Sequence, residues 1–488
     1  MAVFGECFAS GSLLNSARVY VTYSLPTLPF MKLIPVFLLC LALSVYCFRA
    51  LGQVDPDASD KTFYLYENLR RVQASNQFLF GQEFFNSFRY SSGSAHGDKE
   101  FSDSKNVTGT HPAVLGSDFH YYLEKSEGER RYHTEAVKWA YQQGYVITYD
   151  WHLSARGTNS YEYKDEVKDL VNNIVSDLNG DRDWYLAELD KVIDIINTEL
   201  IVDSENIPIV FRPLHEMKGG WFWWGSKATT PQTYKALYRL TQQYIEERTN
   251  TVLFAWSPNN PVDFNYYPGD DYVDIVGVDA YEVSVSGLRN ILAPIVDYSF
   301  ASGKVAVFTE TGNRTNGGAS NGDDAARYWM DTILPAITGD PTGRSQNIAW
   351  VLTWINAAWS FPYVPYANSS EAAKASFIAF QSSSAAIFGN EMPEMYRFYD
   401  VTAVAGNKPN EEIQLFPMPV TSDLTIRLSG FENQSLVKIY DLRGQLVHEL
   451  TAEGSEAVIH TEGLLSTGVY LLSATDSRKT VSKKVVVN

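Results

Sequence analysis

Two glutamates dominate the chemistry-bearing residues of this chain of 488. Glu216 follows the β-rich run Ile207–Arg212, and Glu310 ends the stretch that begins with Val305–Thr309. Hydrolysis of a glycoside with retention needs two carboxyl groups, about 5–5.5 Å apart. One attacks the anomeric carbon while the other protonates the leaving oxygen. A lone buried glutamate reads equally well as half of an ion pair, here with Arg212. Two of them on separate strands, each flanked by aromatic residues, favour chemistry. Their environments should also push their pKa values apart. Glu216 lies beside His215 and ahead of Trp221, Trp223 and Trp224, an aromatic surround that favours the protonated acid. Glu310, between Thr309 and Thr311 and with Tyr281 near, can stay ionised through hydrogen bonds.

Positioning two such groups requires a rigid frame. From about residue 61 to 390, apolar β-rich runs alternate with helical patterns, the mark of a parallel sheet with crossover helices. The expected strands are Phe78–Gln82, Ala113–Asp118, Tyr145–Asp150, Ile207–Arg212, Val252–Trp256, Ile275–Asp279, Val305–Thr309 and Ala349–Thr353. Helical stretches include Tyr132–Gln143, Trp184–Thr198, Thr233–Glu247 and Asp323–Ile333. The pattern predicts an α/β fold, a (β/α)8 TIM barrel. A doubly wound open sheet is the rival, but the glycine-rich phosphate turn of its nucleotide-binding forms is missing. Asp118, Trp151, His152, His215, Glu216, Asp279, Tyr281, Glu310 and Trp354 all fall at or just past strand ends. In a barrel those ends share one rim, where active sites sit.

Beyond about residue 390 the texture changes. Pro393, Pro409, Pro417 and Pro419 punctuate an expected linker, 392–410. The short alternating runs Leu424–Leu428, Leu436–Tyr440, Ala457–His460, Val469–Ser473 and Lys483–Val487 follow, separated by turns such as Asp441 to Gly444. They predict a small all-β, Ig-like sandwich over 411–488, after a catalytic domain over 53–391. At the other end, Met31-Lys32, the apolar run Leu33–Phe48 and Ala50-Leu51-Gly52 read as a signal peptide cleaved before Gln53, with Met31 as the expected start and 1–30 as an upstream extension. The run is short for a membrane anchor, so no stable span is expected after its removal. Cys7, Cys40 and Cys47 all precede Gln53, so neither disulfides nor cysteine-bound metal would staple the mature chain.

The net charge of -18 disfavours nucleic acid and anionic lipid as partners. Aromatic residues make up 14% of the chain, with 11 Trp and 30 Tyr. Most must be core, but rings also cover the flat C–H faces of sugars. No cofactor is expected. His152 and His215 raise the question of a metal, but the sequence offers neither an H-x-x-x-H spacing nor a third ligand.

The segment RPLHEMKGGWFWWG (Arg212–Gly225) resembles the acid/base segment of glycoside hydrolase family 26. VFTETG (Val307–Gly312) resembles that family's nucleophile strand, and GVDAY (Gly277–Tyr281) and LTW (Leu352–Trp354) resemble two further rim signatures. The resemblance covers about residues 61–390 and implies a secreted, retaining endo-β-1,4-mannanase acting on β-mannan polysaccharide. It implies Glu216 as acid/base and Glu310 as nucleophile. It further implies that His215 and His152 contact sugar, Tyr281 hydrogen-bonds the nucleophile, Asp279 supports the site, Trp354 is a sugar platform, and Trp221 lies beside the leaving group. The plainer readings are packing for the tryptophans and ordinary hydrogen bonding for the histidines. Lys218 stands where the family commonly has Asn, and Ile355 where many members have Arg, which bears on endo against exo attack. Rival functions are a β-glycanase on mixed-linkage glucan or β-xylan, an exo-acting mannobiose-releasing enzyme, and a sugar-binding barrel without catalysis. The tail, through Leu415–Val420, Val437–Gln445, Thr467–Tyr470 and Arg478–Lys484, resembles the sorting domain of the type IX secretion system of Bacteroidetes-type bacteria. That resemblance implies secretion machinery as a partner and export to the medium or the outer cell surface of a Gram-negative bacterium. A carbohydrate-binding sandwich is the rival, but 411–488 contains no Trp.

Overall fold

A computed structural model describes residues 52–90, 98–313 and 327–397. In the C-terminal region it describes 413–416, 420, 422–431, 434–440, 446–461, 463–466, 468–476 and 480–487. The expected signal peptide, the start of the Asp323–Ile333 helix, the Asp441–Gly444 turn and Pro409, Pro417 and Pro419 lie outside the described residues. The chain divides into two compact units at Arg397/Phe398. Among the described residues, no helix is long and apolar enough to cross a membrane.

The first unit is a closed parallel barrel. Its strands are β1 (Phe78–Glu83), β2 (Val114–Asp118), β3 (Val146–Asp150), β4 (Ile209–Phe211) and β5 (Val252–Trp256). Next come β6 in two segments (Ile275–Val276 and Asp279–Tyr281), β7 in two segments (Val305–Ala306 and Phe308–Gly312), and β8 (Trp350–Thr353). Each pairs in parallel with the next, and β8 pairs with β1 through Leu79 and Trp350, so no edge is left open. Alternation along each strand sorts the core into two shells. Phe80, Ile147, Phe211, Phe254 and Phe308 face the surrounding helices. Leu79, Val114, Val146, Val210, Leu253, Ile275, Val305 and Leu352 fill the interior.

Helices pack outside with locally encoded ends. Ser126 and Glu129 form a capping box at α2 (Glu127–Gln142), and Thr230 caps α4 (Pro231–Glu246), which has Pro231 in its first turn. Between them, α3 (Asp181–Asp194) runs into a π turn. The earlier helix α1 (Asp60–Gln73) joins the interior shell through Leu65, Tyr66, Leu69 and Val72. The barrel unit continues past residue 391. Asn68 Nδ2 donates to the Met395 carbonyl at 2.9 Å, and Met395 packs into the same shell.

Following the inward-facing series toward the strand ends, apolar residues give way to polar ones. On β1 it runs Leu79, Gly81, Glu83; on β2 Val114, Gly116, Asp118; on β3 Val146, Thr148, Asp150. On β4 it reaches Arg212, on β5 Ser257, on β6 Asp279 and Tyr281, and on β8 Trp354. Glu310 lies off this two-residue period. The pairing of β7 with β8 shifts register between Phe308 and Thr311, an irregularity of the kind that re-aims a side chain. Glu83 enters the interior because its neighbour Gly116 has no side chain; a Cβ there would collide with the Glu83 carboxyl.

Among the described residues, the second unit holds seven antiparallel strands in two sheets. β9 (Ile413–Phe416), β10 (Asp423–Leu428) and β13 (Glu456–His460) form one, in the order β9-β10-β13. β11 (Gln434–Tyr440), β12 (Leu446–Glu453), β14 (Gly468–Thr475) and β15 (Thr480–Val487) form the other, in the order β12-β11-β14-β15. Leu424, Ile426, Val437, Ile439, Leu472 and Val485 share one core, as in a sandwich. β9 and β12 add to the five runs expected from sequence.

Overfilling the space beside Glu83 tests the inward packing. Gly116→Ala should destabilise the barrel unit by about 1–3 kcal/mol, read as a lowered midpoint in denaturant unfolding with an unchanged slope.

Candidate active site

Arg212 follows β4 with no exposed surface, and acidic groups surround it. Its Nη2 donates to Glu310 Oε2 at 3.1 Å, and its Nη1 donates to Asp279 Oδ1 at 3.2 Å and to Ser257 Oγ at 3.1 Å. Glu83 Oε1 lies 3.5 Å and Asp150 Oδ2 3.6 Å from Nη2. Burial opposes the guanidinium's charge, but Asp279, Glu310, Asp150 and Glu83 outweigh it and hold the group above its ordinary pKa. The acids experience the converse. Burial first, and then neighbouring carboxylates, push Glu83 and Asp150 well above the carboxylate range, with Arg212 pulling the other way. Asp279 is pushed up to about 7, by burial first.

Glu310 is held at both oxygens. Arg212 donates to Oε2, and the Tyr281 hydroxyl donates to Oε1. Asp279 is its register partner on β6. The carboxyl of Glu216 meets a different environment. Burial raises its pKa well above the usual range, and the charges of Glu310 and Asp279 add to the rise. The Trp221 indole N–H, donating to Glu216 Oε2 at 2.9 Å, acts in the opposite direction. The segment bearing Glu216 departs from regular backbone: Leu214 has φ 56° and Glu216 φ 54°, in the left-handed region. Such conformations cost about 1–3 kcal/mol each and persist only where the surroundings fix them. Here the Glu216 N–H donates to the Ser257 carbonyl at 2.9 Å, and the Trp224 indole donates to the His215 carbonyl at 2.8 Å.

The histidines stand beside this pair of acids. His152 Nδ1 lies 2.8 Å from Asp118 Oδ2, which orients the imidazole ring. Its ring is 4.7 Å from that of His215 and 6.2 Å from that of Trp354. His215 is buried, and burial first, then His152 and Arg212, hold its pKa well below the ordinary imidazole value. It is therefore neutral near pH 7.

All eight residues expected from sequence (Glu216, Glu310, His152, His215, Trp221, Tyr281, Trp354 and Asp279) come together at the strand ends. Not all the tryptophans face Glu216. Trp223 and Trp224 are buried behind it, and Phe222 takes the place beside His215, with ring centroids 5.3 Å apart. Sequence reasoning missed Glu83, Asp150 and Ser257 as members of the site. Their signal was parity, since each continues the inward-facing series of its strand. Asp150 also supplies the third potential metal ligand that the sequence lacked: one ligand atom each from Asp150, His152 and His215 lie within 4.8 Å of one another. Arg212 already places a fixed positive charge at that carboxylate, and a cation there would be repelled.

Lys218 and Ile355 are both anchored. Lys218 Nζ donates to Asp263 Oδ2 at 2.7 Å, and Ile355 is buried against Phe84 and Phe88.

Removing Arg212 would leave several buried acids uncompensated. Arg212→Met should cost about 3–5 kcal/mol at neutral pH. The cost should depend on pH with a definite sign. An acid whose pKa is raised by folding contributes stability that is fully present below its unfolded pKa and is lost as pH rises through the folded value. Arg212 lowers the pKa values of Glu83 and Asp279, so its loss widens that window. Thermal melts should show a larger Tm deficit at pH 8 than at pH 5.

Comparison with known proteins places this architecture. Residues 54–321 match the family model of glycosyl hydrolase family 26, and residues 414–488 match that of the secretion system C-terminal sorting domain. A tail of the latter kind marks an exported protein, secreted or displayed on the outer surface of a Bacteroidetes-type Gram-negative cell. A mannan endo-1,4-beta-mannosidase of Bifidobacterium adolescentis is 25% identical over 334 residues, covering 62% of this chain and 32% of that protein. One from Bacillus subtilis is 29% identical over 234 residues, covering 44% of this chain and 61% of that protein. The matches therefore span less than two thirds of either relative's length. Among solved structures, a Cellulomonas fimi endo-beta-1,4-mannanase double mutant superimposes with a TM-score of 0.64 at 26% identity, covering 90% of this chain and 100% of that one. The matched model spans more than half of the sequence, and its residues include both Glu216 and Glu310: the chain belongs to glycosyl hydrolase family 26.

Proposed function

We propose that this protein is an endo-β-1,4-mannanase that cleaves internal bonds of mannan, galactomannan or glucomannan by double displacement. The observation that carries the reading is the contrast between its two carboxyl groups. Glu216 is pushed toward its protonated form, and both Glu310 oxygens accept hydrogen bonds. Glu310 attacks the anomeric carbon as Glu216 passes its proton to the departing glycosidic oxygen. The carboxylate left on Glu216 then takes a proton from water, whose oxygen displaces Glu310 from the sugar. Tyr281 and Arg212 orient Glu310, and Asp279 fixes Arg212 from the far side. His152 and His215 contact the sugar at the cleavage point, Trp354 lies beneath it, and Trp221 lies toward the leaving group. The mannan-acting names of the relatives support the substrate class. The tail supports engagement with the secretion machinery.

The full chain should hydrolyse β-1,4-mannan to internal fragments, and either Glu216→Ala or Glu310→Ala should lower kcat by at least about a thousandfold. Preference for β-1,4-xylan or mixed-linkage glucan in the same assay would replace the substrate class and keep the mechanism. Glycan binding by the native chain without turnover would leave a sugar-binding barrel.

The alkaline limb of kcat/KM should follow Glu216, since activity falls as pH rises through the pKa of the acid. Trp221 lowers that pKa by hydrogen bonding. Trp221→Phe keeps a ring and loses the N–H donor, so it should move the alkaline limb to higher pH. A limb that stays put would remove Glu216 from the acid role or Trp221 from its control.

A further inference from the structure

His152 stands where the chain has left β3 and has entered neither helix nor strand. Backbone polar groups in such a stretch need partners outside the sheet. Here side chains supply them. The His152 N–H donates to Asp118 Oδ1 at 3.1 Å, and the Leu153 carbonyl accepts from the Trp223 indole at 2.8 Å. The Ser154 N–H donates to Glu124 Oε1 at 2.9 Å, and the Ser154 hydroxyl donates to Glu124 Oε2. The His152 carbonyl lies 3.2 Å from His120 Nδ1.

Three of these partners come from one short stretch after β2. Asp118 ends that strand, His120 opens the single helical turn His120–Leu123, and Glu124 follows it. Four residues apart, His120 and Glu124 face the same side, with His120 Nδ1 3.5 Å from Glu124 Oε2. The start of the turn is fixed in its own right. The His120 N–H donates at 2.8 Å to the same Asp118 oxygen that accepts from the His152 N–H. A carbonyl oxygen only accepts, so His120 holds the His152 carbonyl through a hydrogen on Nδ1. Glu124, beside the same nitrogen, favours that placement of the hydrogen.

We propose that His120 is a positioning residue of the reaction: its Nδ1–H, backed by Glu124, holds the main chain at His152 and so sets the place from which the His152 ring meets the sugar. This rests on the mannanase reading, in which His152 contacts the substrate. Asp118 orients the ring, and His120 secures the backbone that carries it. His120 therefore acts only through His152.

Two isosteric changes separate that hydrogen bond from the bulk of the ring. Asn places an amide N–H close to where histidine carries Nδ1, and Gln places one close to Nε2. In the full chain, His120→Gln should lower kcat/KM on mannan about five- to tenfold, the worth of one hydrogen bond, and His120→Asn should retain most of the activity. In a His152→Ala background, His120→Gln should cause no further loss, since residues that act as a unit are not additive. Equal losses for Asn and Gln, no loss for either, or the same loss with and without the His152 ring would each overturn the positioning role while the mannanase reading stands. If His120→Gln does not fold, Ser154→Ala, which breaks the hydroxyl bond to Glu124, carries the same test: a loss in the native chain and none beyond it in His152→Ala supports the role, and any other pattern overturns it. Turnover of β-1,4-xylan or mixed-linkage glucan in place of mannan would replace the substrate, and the variants would then be read on that glycan. A native chain that cleaves none of the three would end the mannanase reading and the role of His120 together.

Discussion

One guanidinium sets the order at the top of this barrel. Arg212 lies within 3.6 Å of oxygens on Glu83, Asp150, Asp279 and Glu310, on strands β1, β3, β6 and β7 or at their ends. A closed ring of parallel strands forces inward side chains at equal height toward one another. Four acids meeting there without a cation could not remain ionised together. Arg212 permits the crowding, and the crowding gives the site its asymmetry. Glu310 takes a direct hydrogen bond from the guanidinium, whereas Glu216 pairs instead with an indole N–H.

The aromatic residues divide the work by depth. Trp223 and Trp224 are buried, and their indole nitrogens fix the Leu153 and His215 carbonyls behind the site. Trp221 is half exposed and engages Glu216 directly. Trp354 is mounted on a cluster of its own, outside the main core. The same residue type thus provides scaffold, electrostatic control and surface, according to how far from solvent it sits and where its one polar atom finds a partner.

Most of this frame was legible in the sequence, because each barrel strand carries its own apolar alternation and helices α1, α2 and α4 carry their own N-caps, Ser59, Ser126 and Thr230. The eight strands lie near their expected bounds, with β6 and β7 broken into two. The eight expected site residues also come together, since strand ends meet at one rim whatever the loops do. Glu83 and Asp150 escaped notice for different reasons: Asp150 lies in an expected strand but its face was not considered, and Glu83 lies one residue past the expected end of the first strand at Gln82. Placing Glu310 needed more than parity. Its inward turn depends on a register shift that no local pattern announces. The left-handed backbone at Leu214 and Glu216 was equally invisible, since neither residue type favours it. Only tertiary hydrogen bonds hold it there.

The Arg212 cluster also limits how this protein can be improved. Buried ionic groups hold a fold together less well than apolar residues of the same volume, and replacing a whole set of them is often neutral or stabilising. Heat tolerance alone, applied as a selective pressure, would favour variants that lose Arg212 and its acids in concert and repack the upper barrel with aliphatic side chains. Such variants would be robust and inert. The conflict between endurance and turnover is concentrated in this layer of the molecule. Engineering for thermostability belongs in the helices and loops around it, where no residue must remain both charged and dry.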